Sequence, residues 1–163
     1  MSEGQWWPIG KHRNIGIVEV IIRYPDYITW WNQRDYYPGF DWLDEHIEKR
    51  IGVFDRKPFS NAKCAGKVNG ILCTRPVTRA TCYATNSSPA FWCDECDPTQ
   101  LGATAAKLTT VKTYYEALTH ARWCSGPQTA QRDIIKHMAI AKGLKRPWTE
   151  KKIYRFLHGL PLE

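Results

Sequence analysis

Five of the six cysteines in this 163-residue chain lie between Cys64 and Cys96, and the last two, Cys93 and Cys96 in FWCDECDP, stand two residues apart. That spacing lets two thiolates point to one side of a tight turn, which is half of a tetrahedral zinc site. The other half is predicted at Cys64 and Cys73, which bracket AGKVNGIL. There Asn69-Gly70 signals a type I′ hairpin, since both residues tolerate positive φ. A ribbon folded at that point brings Cys64 beside Cys73, so that two cysteine pairs face one zinc ion. The first pair is spaced more loosely than in the double CxxC of a zinc ribbon. Cys82, in the β-branched and aromatic stretch TRATCYAT, is read as a buried cysteine on a strand, with replacement of Cys64 or Cys73 as its alternative role. A redox dithiol fits CDEC less well, because Asp94, Glu95 and Asp97 crowd it with negative charge that disfavours thiolates. A dication would offset those acids and thiolates together. Four sulfur ligands leave no open position for water or substrate, so the ion is expected to be structural.

The second group of interest is cationic. The formal net charge is +7, and residues 101–163 hold eleven Lys/Arg against four Asp/Glu, whereas residues 1–60 hold eight against nine. Such segregation attracts polyanions. Within it, KGLKRPWTEKK places Lys142, Lys145, Arg146, Lys151 and Lys152 around Trp148, against Glu150. A basic turn leading into a helix N-terminus is how helix-turn-helix modules meet phosphates. With Arg155 further on and Lys11 and Arg13 in a basic N-terminal turn, these are the candidate nucleic-acid contacts. A solvated basic surface or an acidic protein partner is the alternative use of the same charge. His120 and Cys124 share a helical face but lack an orienting third group, and they read as helix-end residues. There is no P-loop, H-E-x-x-H or G-x-S-x-G, so no catalytic residue is assigned and an enzyme is not expected.

These groups need elements to position them. In DWLDEHIEKRIG, residues 41–52, Leu43, Ile47 and Ile51 recur with helical spacing and Gly52 supplies a stop. PDYITWWNQ suits a helix opening at Pro25. IGIVEVII is β-branched and reads as strand by propensity. Leu108, Val111, Tyr115 and Leu118 predict a helix from about Ala105 to Trp123. Thr129 is predicted to cap a second helix ending near Lys142 and Gly143, with Ile134, Met138 and Ala141 inward. Thr149 is predicted to cap a third, with Glu150 in its first turn and Ile153, Phe156, Leu157 and Leu160 on one face. Ten of the 21 aromatic residues fall in the first 43 positions, including Trp6-Trp7, Trp30-Trp31 and Tyr36-Tyr37. They read as a small aromatic core, or else as platforms on which unpaired bases stack.

One stretch resembles a known module. IGKHRNIGIVEVIIRYPDYITWW, Ile9 to Trp31, is similar to the glycine-lysine motif module at the C-terminus of exodeoxyribonuclease X-like proteins, also met in small phage and bacterial proteins. Gly10, Lys11, Tyr27 and Trp30 match the pattern, with Pro25 and Asp26 at a helix start. The sequence departs from it at Asn14, where glycine is more usual. The resemblance implies a short helix where propensity says strand, and association with DNA transactions without the exonuclease domain.

The fold class expected is α+β: an aromatic-rich N-terminal module (1–60), a four-cysteine, zinc-ribbon-like β module (61–100) and a basic three-helix region (101–163). The start MSEGQWWPIG lacks the features of a signal peptide, and the longest apolar run is interrupted by Glu19. A cytoplasmic protein without a membrane segment is expected, and in that compartment cysteines serve as metal ligands or core residues. The function expected is a zinc-stabilised nucleic-acid-binding accessory protein, DNA favoured. The alternative is an adaptor or inhibitor docking on an acidic protein, such as a phage or host regulatory factor, and the third class is a nuclease.

Overall fold

The β-branched run is a helix: Ile17–Arg23 forms α1, with Ile17, Val18, Val20, Ile21 and Ile22 all buried. The computed structural model describes residues 6–35, 37–100 and 107–162, and no helix among them is long and apolar enough to cross a membrane. β-branching costs a few tenths of a kcal/mol per residue in a helix, whereas burying each such side chain returns about 2 kcal/mol, so packing overrides propensity. The polar stripe of α1 is Glu19 and Arg23, one turn apart and paired at 3.4 Å. A helix apolar nearly all round belongs in the interior, and α1 packs against α2 (Pro25–Gln33), α3 (Asp41–Arg56), α5 (Pro127–Ala141) and α6 (Glu150–Leu157).

Helices of the first and last thirds therefore share one core. Asp26 on α2 receives the Arg132 guanidinium of α5 at 2.9 and 3.2 Å. The Arg50 guanidinium of α3 donates to the Leu157 carbonyl of α6 at 3.0 Å. Trp7 and Trp31 are fully buried, while Trp30, Tyr37 and Trp42 keep much of their surface in solvent; Tyr36 lies outside the described residues. The aromatics thus serve both as core and as exposed rings. Gly10 (φ 72°) lies under Tyr27, whose hydroxyl would fall 2.2 Å from an added Cβ, and Asn14 (φ 67°) also takes a left-handed conformation, which asparagine tolerates.

Between α3 and the C-terminal helices run a hairpin, β1 (Lys67–Val68) with β2 (Ile71–Leu72), and an antiparallel sheet of β3 (Arg79–Tyr83), β4 (Ala90–Trp92) and β5 (Leu108–Val111) in the order β4-β3-β5. The class is α+β. Asn69 (φ 52°) and Gly70 (φ 79°) make the expected turn.

Three expected boundaries shift. The helix expected from Ala105 to Trp123 is instead β5 followed by α4 (Tyr114–Ala121), because Thr81 and Cys82 of β3 offer pairing partners to Thr110 and Thr109; Ala105 itself lies outside the described residues. Thr113 caps α4 by accepting from the Glu116 N–H. Gly52 does not stop α3, which runs one more turn to bury Phe54. Thr129 lies inside α5, which opens at Pro127 after a left-handed Gly126. Thr149 caps α6 as expected, accepting from the Lys152 N–H, while Leu160 lies past the helix end and is exposed.

Lys142 is the largest correction. The sequence places it among the phosphate contacts, but it is 5% exposed and its ammonium donates to the carbonyls of Phe54 (2.9 Å), Asp55 (3.4 Å) and Lys57 (2.8 Å). A cation thus caps the orphan carbonyls at the end of α3, above the rings of Phe54 and Phe59. Lys142→Met is expected to cost about 1–3 kcal/mol at neutral pH, because those carbonyls lose their donor. Burial lowers the Lys142 ammonium from its ordinary value to about 8. The folded state therefore binds fewer protons than the unfolded chain between about pH 8 and the usual lysine range, and stability rises with pH across that window. Urea unfolding should show the gap between wild type and Lys142→Met widening from pH 8 to 10; a constant gap would contradict this account.

Candidate metal centre and basic surface

The strand β4 runs straight into Cys93 and the CxxC turn, while the β1–β2 hairpin holds Cys64 before it and Cys73 after it. The ligand atoms of Cys64, Cys73, Cys93 and Cys96 all lie within 4.8 Å of one another, and among the described residues this is the one such cluster of His, Cys, Asp or Glu. The Sγ atoms of Cys73 and Cys93 are 3.8 Å apart. That is far too long for a disulfide, and it equals the edge of a regular tetrahedron whose centre lies about 2.3 Å from each corner, the zinc–thiolate distance. The cluster could hold a metal ion.

Backbone amides point at the sulfurs. Gly66 N–H donates to Cys64 Sγ and Arg75 N–H to Cys73 Sγ, both at 3.4 Å, repeating one turn at two sites. Cys93 N–H also reaches Cys64 Sγ at 3.3 Å, and Cys96 N–H reaches Cys93 Sγ at 3.4 Å. Donors aimed at sulfur favour the thiolate and orient a ligand. Burial pushes the Cys93 thiol up, but hydrogen bonds, first from the Cys96 N–H, outweigh it and bring it down to about 7. Cys96, hydrogen-bonded to Cys93 and desolvated, rises to about 12. Without a cation, four clustered sulfurs cannot all ionise; a metal would displace the remaining protons.

Gly66 makes this turn possible. A Cβ there would come within 2.5 Å of both Cβ and Sγ of Cys96. Gly66→Ala is expected to displace Cys96 and lower the metal content of the purified chain by at least about half; full metal loading of that variant would show the turn to be more pliable than drawn here. No motif in the sequence singled Gly66 out, because its partner is thirty positions away.

The acids of CDEC have partners other than a metal. Arg75 pairs with Glu95 at 2.7 Å, and Arg79 with Asp94 at 2.6 Å and Asp97 at 3.0 Å. Asp97 is buried and also accepts from the Thr99 N–H at 2.8 Å. The expectation that a dication must offset these acids is corrected: two arginines already do so. Cys82 lies on β3 away from the cluster, where burial pushes its thiol up to about 12, and it is a core residue. His120 turns its Nε2 to the Asn86 carbonyl at 3.0 Å, while the Cys124 thiol faces the His120 backbone carbonyl at 3.9 Å, so the two side chains make no catalytic pair.

Of the predicted nucleic-acid contacts, Lys145, Arg146 and Lys151 are exposed around the α5–α6 turn and the start of α6. Lys152 donates to the Pro147 carbonyl at 3.1 Å, Arg155 to the Pro161 carbonyl at 2.6 Å, and the Trp148 indole to the Leu144 carbonyl at 3.1 Å. Lys11 and Arg13 are exposed on a turn whose His12 stacks on Tyr24 at 4.2 Å. Among the described residues Lys136, Lys145, Arg146, Lys151 and Lys152 have no ion-pair partner, in contrast to Arg23, Arg34, Arg75, Arg79 and Arg132. Lys136, on the α5 face flanking the turn, escaped sequence reading because only the helical fold brings it beside residues ten positions later. No protein-family model, curated protein or solved structure matches this chain.

Proposed function

We propose that this chain is a zinc-stabilised nucleic-acid-binding accessory protein, with DNA the favoured partner and the ion a structural clamp. The observation that carries the reading is a grouping of cations: Lys136, Lys145, Arg146, Lys151 and Lys152 gather around the α5–α6 turn, and among the described residues none of the five has an ion-pair partner. Unneutralised charge grouped on one surface gives a lasting positive field, which is what a phosphate backbone meets. The sulfur-only cluster supports a structural ion, because it offers no position to substrate. Zinc is the ion that four clustered cysteine sulfurs suit best. Labelled single- and double-stranded DNA titrated at several salt concentrations tests the reading. Affinity should fall with salt by a logarithmic slope of about 0.9 per duplex phosphate neutralised, and binding that is absent or indifferent to salt would sink it.

A second reading rests on a different observation. Val68, Ile71 and Leu72 on the β1–β2 hairpin are exposed, and Leu72 borders an apolar hollow walled by Phe59, Pro76 and Val77. Exposed apolar surface of this kind suits an adaptor docking on a protein. Association that survives nuclease digestion and is lost in Ile71→Asp would favour it over nucleic acid.

A further inference from the structure

The nucleic-acid reading leaves open which form of the polymer is held, and a cleft beside the basic turn bears on that. The end of α1, the Arg132–Lys136 turn of α5 and the α5–α6 turn border an open cleft of about 470 Å³, a volume suited to a small ligand. Two of its arginines are committed to holding it open. Arg23 pairs with Glu19 at 3.4 Å and donates to the Trp148 carbonyl at 2.7 Å, fixing the turn to α1. Arg132 is held in a fork by Asp26 and lies 5.4 Å above Tyr24. Tyr24 in turn is stacked by the His12 ring at 4.2 Å, so it serves as wall and not as platform.

The groups left to meet a ligand are Lys136, Arg146, Asp133 and the Trp148 ring. Lys136 and Arg146 have no ion-pair partner among the described residues. The Trp148 indole N–H is anchored on Leu144, and the half-buried ring lines the cleft. Two cations beside a half-buried aromatic ring, one of them Arg146 with its guanidinium 6.0 Å from the ring centroid, match the two parts of a nucleotide: phosphate on the cations, base against the indole. A base within a duplex is stacked on both faces and paired at its edge, so neither of its faces is free to lie against the half-buried Trp148 ring. Only an unpaired base can be turned into such a cleft.

Resting on the nucleic-acid reading above, we infer that the cleft takes an unpaired nucleotide, with Lys136 and Arg146 on its phosphate and Trp148 under its base, so that the chain binds single strands in preference to duplex. No base-specific donor or acceptor set is needed, and the contact is tolerant of sequence. Asp133 is the acid in the same lining, and it opposes the phosphate.

Fluorescence anisotropy with a short oligothymidylate, an oligouridylate and a duplex of equal length tests this, using wild type, Lys136→Ala/Arg146→Ala and Asp133→Asn. Thermal melting checks that each variant is folded. The double variant should lose about tenfold or more in single-strand affinity and about 0.7 from the logarithmic salt slope, the one phosphate that the two cations share. Asp133→Asn should bind single strands more tightly, which loss of a merely structural residue would not do. Comparing the two oligonucleotides tells whether the 2′-hydroxyl and the thymine methyl together matter, and an oligodeoxyuridylate separates them. If wild type binds nucleic acid but prefers duplex, or binds single strands unchanged in both variants, the cleft assignment falls and the nucleic-acid reading stands. If wild type binds none of the three, both fall.

Discussion

Cys93→Ser is expected to leave the chain without its metal and to make the segment from about residue 59 to 98 sensitive to protease, while the helical signal in circular dichroism largely persists. A serine hydroxyl does not ionise at neutral pH and cannot replace a thiolate at a zinc–sulfur distance. Structural zinc in small modules contributes on the order of 10–16 kcal/mol, compared with about 5–15 kcal/mol for the net stability of a whole domain. Apart from the cluster, the segment is tied to the rest of the fold through the pairing of β3 with β5 and a few buried side chains. Besides the ligand cysteines its buried apolar residues are Phe59, Val77, Ala80 and Cys82, and the two-residue strands of the β1–β2 hairpin expose Val68, Ile71 and Leu72. A hairpin of that length does not persist by itself in water. The helices, by contrast, keep the core built around Trp7, Ile17, Ile21, Trp31, Phe54 and Phe156. Metal analysis should find one ion per wild-type chain and none in the variant. A wild-type chain purified without metal, or a variant with an unchanged cleavage pattern, would overturn the clamp.

The second large effect concerns the basic turn. Replacing Lys145, Arg146, Lys151 and Lys152 together by alanine should lower duplex affinity at low salt on the order of a thousandfold and flatten the logarithmic salt dependence by about 3–4, if each side chain neutralises one phosphate. Among the described residues the side chains of three of the four have no hydrogen-bond partner to lose; Lys152 also supports the turn through the Pro147 carbonyl. The Thr149 cap and the buried face Ile153, Phe156 and Leu157 remain, so the variant should melt close to wild type. An unchanged gel shift from a folded quadruple variant would remove nucleic acid as the partner of this surface. Lys142 is left in place for a physical reason: its ammonium serves α3, and its loss would confuse stability with binding.

What could be read in the residues themselves was short in range. Asn69-Gly70 specifies its turn because both backbones accept positive φ, and that turn alone brings Cys64 near Cys73. Thr149 caps α6 through a bond to an N–H three residues on, and Pro25 opens α2, each a matter of one helical turn. The CxxC pair needs nothing beyond its own loop. Charge segregation is likewise a property of composition and survives any fold. Tertiary structure decided the rest, because burial and pairing are made between distant segments. It turned Ile17–Arg23 into a helix by surrounding it with four others, and it made Leu108–Val111 a strand by offering it the open edge of β3. Arg75 and Arg79 were set against the acids of CDEC, and Lys142 was drawn inside to face the carbonyl end of α3. Lys136, Arg146 and Trp148 come to border one cleft only because α5 and its following turn fold back on α1. A cation's spacing in sequence tells how much positive charge a region carries; whether that charge is neutralised, buried or left for a ligand depends on which distant side chains the fold places beside it.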